Sequence, residues 1–257
     1  MEFVVIPIVA LLVSLLTFFS GFGLGTILLP AFAIFFPVSI AVALTAIVHL
    51  LNNIFKFGLV GRHTDKGVVL RFGLVAIPAS LLGAQILSSL ANLKPLASYY
   101  LFSHSLEITP VKLTVSALIL LFALWEVLPR LQRISFGRKY LPVGGLLSGF
   151  FGGLSGHQGA LRSAFLAKSE LSTESFIATN VAIAILVDIP RISVYITHFS
   201  LASTERNILL LSVAAIAAFL GAFLGSLWIK KVTMQSIQVL VSVMLFAIAL
   251  ALGSGLI

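Results

Sequence analysis

Cysteine is absent from this 257-residue chain, and charged side chains make up only 9% of it. Without cysteine there is no disulfide framework, no thiolate metal site and no cysteine nucleophile. The shortage of charge excludes more. With 60% hydrophobic residues and a mean hydropathy of +1.16, the chain cannot assemble a soluble surface. The formal charge of +8 would suit nucleic acid if the basic residues gathered in a patch. They stand instead in short loops between apolar runs, where they report topology. The opening Met1-Glu2-Phe3 lacks the basic region of a cleavable signal, and apolar sequence runs almost unbroken to Ile257. Composition therefore predicts an integral membrane protein with no soluble domain, no nucleic-acid partner and no cofactor.

What is present is a repeat. Ser20 to Lys56 aligns without a gap against Ser155 to Arg191, 135 positions later. Ser20-Gly21 meets Ser155-Gly156, Ala43 meets Ala178, Thr45 meets Asn180, Asn53 meets Asp188 and Lys56 meets Arg191. Further on, Leu82-Gly83-Ala84 matches Leu220-Gly221-Ala222. In a chain this apolar, coincident glycines and polar groups predict a duplicated membrane unit. Each copy brings a broken helix to a shared site, the usual construction of secondary transporters.

Spanning a hydrocarbon core takes about 20 helical residues. The runs 38–61, 68–91, 110–128, 173–197, 206–229 and 235–253 meet that length. Two other apolar stretches, 4–36 and 141–169, are interrupted by small residues: Gly21 to Gly25 in one, and Gly149, Gly152-Gly153, Ser155-Gly156 and Gly159 in the other. The pieces after the interruptions are too short to cross, so each stretch reads as a helical hairpin entering and leaving on one side. Three basic loops, with Arg62, Lys66 and Arg71, with Arg130, Arg133, Arg138 and Lys139, and with Lys230-Lys231, all become cytoplasmic on that reading. The expected fold is an all-α polytopic membrane protein of two inverted repeats, each a re-entrant hairpin followed by three transmembrane helices. Residues 1–129 form the first repeat, 130–140 a basic cytoplasmic linker and 141–257 the second repeat, with both termini outside.

Lipid offers no partners to the amides freed at a helix break, so they face protein, water or ligand. The positive end of a half-helix suits an anion. Gly21, Phe22, Gly23 and Gly25 in the first break, and Gly156, His157, Gln158 and Gly159 in the second, are therefore candidate anion-binding residues. Arg162 follows the second break; a charge there is either a ligand group or a side chain snorkelling to the interface. Thr45 and Asn180 add neutral polar groups, and Arg191 a second guanidinium. His49, His157 and Asp188 are the proton-carrying candidates. Lys56 reads as marking the cytoplasmic end of its span.

This pattern resembles the TauE/SafE group of membrane permeases, the sulfite exporter family. The resemblance rests on Ser20-Gly21-Phe22-Gly23-Leu24-Gly25 with Pro30, Ala43-Leu44-Thr45, the run Gly149 to Gly159, and Ala178-Thr179-Asn180. It implies export of small sulfur-containing anions such as sulfite, sulfoacetate or other organosulfonates, coupled to protons, in the bacterial inner membrane. His157 to Arg162 and Asn180 depart from the family pattern, which has further glycines, a proline and a threonine there. Three other readings compete: an anion channel; a divalent-metal transporter using His49, His157 and Asp188; and an intramembrane serine protease, since Gly153-Leu154-Ser155-Gly156 fits its GxSG pattern.

Overall fold

The computed structural model describes residues 1–18, 24–101, 104–199, 205–227 and 234–257. The first half contains α1 (Glu2–Leu16), α2 (Leu24–Ala33), α3 (Val38–Val60), α4 (Lys66–Ala91) and α5 (Pro110–Val127). A short α6 (Pro129–Gln132) leads into α7 (Leu141–Ser155), α8 (Gly159–Leu166), α9 (Thr173–His198), α10 (Glu205–Leu227) and α11 (Met234–Gly253). The helix starts are chemically marked. Asp65 caps α4 by accepting from the Val68 amide, Ser172 caps α9, and Thr109 caps α5, whose first residue is Pro110. Because α3 and α9 begin at Val38 and Thr173, the register that aligns Ser20 with Ser155 also aligns these helices.

Four helices among the described residues are long and apolar enough to cross a membrane: α3 with the turn after it, α4, α9 and α10. Glu2–Leu16, Leu24–Ala33 and Pro110–Trp125 are shorter apolar helices. Leu70 and Leu74 on α4, Ile196 on α9 and Ile216 on α10 are exposed, as suits side chains that meet acyl chains. The protein is an integral membrane protein.

One part of the fold departs from the all-α expectation. In the connector between α4 and α5, β1 (Ala97–Leu101) and β2 (His104–Ile108) pair antiparallel, Ala97 opposite Ile108 and Leu101 opposite His104. Tyr99 and Tyr100 favour strand, and a hairpin satisfies backbone groups that a coil would leave to water. The Tyr99 hydroxyl donates to the Ser254 carbonyl at 2.6 Å, fastening the hairpin to the end of α11.

Packing between the halves comes in exchanged pairs. α7 lies along α4 while α1 lies along α10; α3 packs on α9, and α5 on α11. The first two contacts are backbone to backbone. A Cβ at Gly145, Gly149 or Gly153 would stand 2.2, 2.4 or 2.1 Å from the carbonyl oxygen of Phe72, Ala76 or Ser80. Gly221 and Gly225 bear the same relation to the Leu11 and Leu15 carbonyls. Rising numbers on both members show that each pair runs parallel. The expectation that Gly149 and Gly152-Gly153 interrupt the second stretch is thereby corrected: α7 continues through them, and Gly149 and Gly153 serve close packing.

The second broken stretch returns to the end where it began. The Phe136 amide, before α7, donates to Ala164 in α8 at 3.2 Å, and Gly137 forms a bridge with Lys168. Arg138 in the linker pairs with Asp65 at the start of α4, 2.9 Å apart. Two of the basic loops thus occupy one end of the molecule, and the hairpin and C-terminus the other. Lys230-Lys231, the third expected basic loop, lies outside the described residues.

Candidate functional site

The second break is closed by conformation. Gly156 ends α7 at φ +83°, a left-handed cap whose amide donates to Gly152 at 2.9 Å. The Gln158 amide donates to Gly156, Ser148 Oγ donates to the Gln158 carbonyl at 3.1 Å, and α8 restarts at Gly159. Gly25, in the first turn of α2, abuts this break: a Cβ there would lie 3.5 Å from the Gly156 oxygen and 3.6 Å from the His49 ring. The two interrupted segments therefore meet beside His49. Gly21, Phe22 and Gly23 lie outside the described residues. α1 and α7, which end at Leu16 and Ser155, are four residues out of step with the register matching Gly21 to Gly156.

A polar network crosses this junction. Asp188 Oδ1 accepts from Arg191 Nε at 3.0 Å, from its terminal nitrogen at 2.7 Å, and from Gln158 Nε2 at 3.1 Å. Asp188 Oδ2 lies 2.7 Å from His49 Nδ1. With the proton on Nδ1, His49 Nε2 is left to accept from the Asn53 amide at 3.3 Å. Arg162 donates to Gln158 Oε1 at 2.8 Å and to Asn180 Oδ1. Arg191 also donates to the Gly152 carbonyl at 3.0 Å, while Tyr195 donates to Gly153. Arg162 is 2% exposed and bonded inward, so its side chain does not snorkel.

Charge does not balance here. Among the described residues, the buried charged side chains are Lys56, Arg162, Arg191 and Asp188, three cations against one carboxylate. That carboxylate already serves Arg191, His49 and Gln158. A narrow cavity of about 20 Å³, room for about one water, adjoins the network. His49, Asn52, Asn53, Lys56 and Arg162 line it with polar groups, and Thr17, Phe18, Leu24 and Val181 complete the wall. Each polar residue lining this space carries a group that can donate a hydrogen bond. Buried Thr45 Oγ1, Asn52 Nδ2, Asn180 Nδ2 and His157 Nε2 have no hydrogen-bond partner among the described residues.

The structure thus brings His49, Arg162, Gln158, Asp188, Asn180, Arg191, Gly25 and Gly156 into one assembly, but not all in the same way. Arg191 faces Asp188 and the end of α7 and does not line the cavity. His157 stacks on Phe122, ring centroids 5.8 Å apart, with Nδ1 3.1 Å from the Ser155 carbonyl, and is also outside the lining. Ser155 Oγ lies 3.2 Å from His157 Nδ1 and donates back to Phe151 in the ordinary helical manner. Lys56 corrects the reading of it as an interfacial marker. It is 5% exposed, lines the cavity, and holds its ammonium 5.4 Å from the centre of the Phe18 ring. Asn52 and Asn53 join it. The available signal was their helical spacing from His49 together with the alignment of Lys56 to Arg191.

No curated protein and no solved structure matches this chain. A family model described as Sulfite exporter TauE/SafE matches residues 6–252. With nearly its whole length matched, the chain belongs to the TauE/SafE sulfite exporter family.

Proposed function

We propose that the protein is a secondary transporter that exports a small sulfur-containing anion across the bacterial inner membrane, coupled to the proton gradient. Sulfite, sulfoacetate and other organosulfonates are the substrate class. The observation that carries this reading is that two buried cations, Lys56 and Arg162, line a small cavity whose described lining holds no carboxylate. Burying charge costs several kcal/mol per ion unless it is offset, and an oxyanion is the ligand that would offset it. A divalent metal would add to the excess, and the histidine–aspartate pair it would need is already engaged.

Alternating access follows from how the halves are built. We take residues 1–129 and 141–257 as inverted repeats joined by the linker 130–140. Supporting this are the exchanged, parallel pairs α4–α7 and α1–α10, and the return of α8 to the end where α7 starts. α4 and α7 run away from the basic end, and α10, beside α1, runs back towards it. The first hairpin then opens at the end opposite the second. Rocking one half against the other would widen the small cavity to each side in turn. In this mechanism Arg162 and the backbone at Gly25, Gly156 and Gly159 hold the anion, with Thr45 and Asn180 supplying hydrogen bonds. Arg191 acts through Asp188. His49, standing between the cavity and Asp188, carries the coupled proton, and His157 takes no part in the observed network.

The test is flux from proteoliposomes loaded with sulfite, with and without an imposed pH gradient. Saturable efflux that responds to the gradient is the expected outcome. Unsaturable, pH-independent flux would make the protein an anion channel, and silence towards sulfite, sulfate, thiosulfate and organosulfonates alike would overturn the substrate class.

A further inference from the structure

Resting on that reading, the comparison of the two repeats singles out where the anion sits. Position 188 of the second repeat is an aspartate and position 53 of the first is an asparagine; positions 191 and 56 are both cationic. In the second repeat the cation finds its counter-charge three residues away, since Arg191 makes two hydrogen bonds to Asp188. In the first repeat the amide of Asn53 faces His49, and Lys56 has no carboxylate partner among the described residues. The cavity is not placed evenly between the halves either. Asn53 and Lys56 line it, Asp188 and Arg191 do not.

We propose that Asp188 is a built-in counter-anion that permanently fills the second repeat's half-site, and that the transported anion takes the equivalent place between Asn53 and Lys56. The site then accepts one oxyanion group, not a symmetric pair. Asn52 Nδ2, a buried donor beside that place with no partner among the described residues, is positioned to donate to one of its oxygens. His49 belongs to the first repeat yet binds the second repeat's aspartate through Nδ1, so its ring links the filled half-site to the open one. Lys56 is accordingly the charge-selecting residue, and Asn53 keeps the seat vacant by carrying no charge of its own.

Asn53→Asp tests this with nearly no change of shape. It would place a carboxylate three residues before Lys56, the arrangement already present as Asp188 and Arg191. The measurement is the sulfite-dependent rise in unfolding temperature of the detergent-purified protein, titrated for affinity. Asn53→Asp is expected to weaken sulfite binding at least tenfold while unfolding without ligand no earlier than the parent; Asn53→Ser, which stays neutral, keeps affinity within a few-fold. Lys56→Gln is expected to lose binding and Lys56→Arg to retain it, which decides the matter should the aspartate variant not fold. A parent that binds sulfite alongside an Asn53→Asp or Lys56→Gln variant that binds equally well would overturn the inference alone. A parent stabilised by no sulfur oxyanion would overturn both it and the transport reading.

Discussion

Arg162 shows how much a single residue must be held in place to keep a charge inside a membrane protein. Its guanidinium bonds Gln158 and Asn180, and Gln158 in turn donates to Asp188, so the cation beside the cavity is oriented from the second break and from α9. Truncating it to alanine removes one of the two charges facing the cavity and leaves the Asn180 amide without partners on either side, at a cost of about 1–3 kcal/mol. Arg162→Ala should therefore unfold at a lower temperature and show no sulfite-induced shift. Arg162→Lys should recover part of the binding, because the charge returns without the planar fork. Equal sulfite affinity in Arg162→Ala would remove this residue from the site. That Arg162 is a candidate was legible in the sequence because a charge so close to a glycine break has few ordinary reasons to be there. That Lys56 faces the cavity was not. A lysine near the end of a long apolar run looks the same whether it reaches the interface or turns inward, and only its burial beside Phe18 and the cavity separates the two.

At the scale of elements, glycine does two different jobs that composition alone does not distinguish. Gly156 is a conformational stop, whereas Gly153 lets α7 lie directly on the α4 backbone; a Cβ would come within 2.1 Å of the Ser80 oxygen. Gly153→Leu must push α7 away from α4, which displaces Tyr195 from its bond to the Gly153 carbonyl as well. The expected loss is about 3 kcal/mol or more, at the upper end for overpacking. Gly58, on an exposed face of α3 with nothing within 4 Å of its missing Cβ, is the counterpart. Gly58→Ala should stabilise by about 0.5–1 kcal/mol through helix propensity alone. Thermal unfolding in one detergent measures both, and a Gly153→Leu variant as stable as its parent would contradict the close contact. Helix positions were well marked in the sequence, because apolar length, caps and the repeat register all point to the same boundaries. The β1–β2 hairpin was not: it has no Asn-Gly or Asp-Gly turn signal, and the bond from Tyr99 that fastens it reaches a C-terminal segment far away in the chain.

For the whole molecule, three crossings in each repeat predict inverted halves, and the parallel α4–α7 and α1–α10 pairs support that proposal. The Arg138–Asp65 pair sets the central linker beside the α3–α4 turn, and the Tyr99 and Lys112 bonds to Ser254 and Gly255 set the C-terminus beside the start of α5, at the opposite end. The basic end should be cytoplasmic. Since the chain has no cysteine, single introduced cysteines report topology without a background to remove. Arg62→Cys and Lys139→Cys, both at exposed positions of the basic end, should react with a membrane-impermeant maleimide only after cells are permeabilised. Leu93→Cys and Leu256→Cys, 54% and 51% exposed at the other end, should react in intact cells. A cysteine inserted after Met1 distinguishes the inverted arrangement from a first stretch that spans fully. α1 runs parallel to α10 and so starts at the hairpin end, which requires this cysteine to label from outside together with Leu256→Cys. Labelling of the N-terminal cysteine only after permeabilisation, with Leu256→Cys labelled from outside, would mean that the first stretch crosses the bilayer. The two halves would then no longer be inverted copies, and alternating access by rocking one repeat against the other would lose its structural basis.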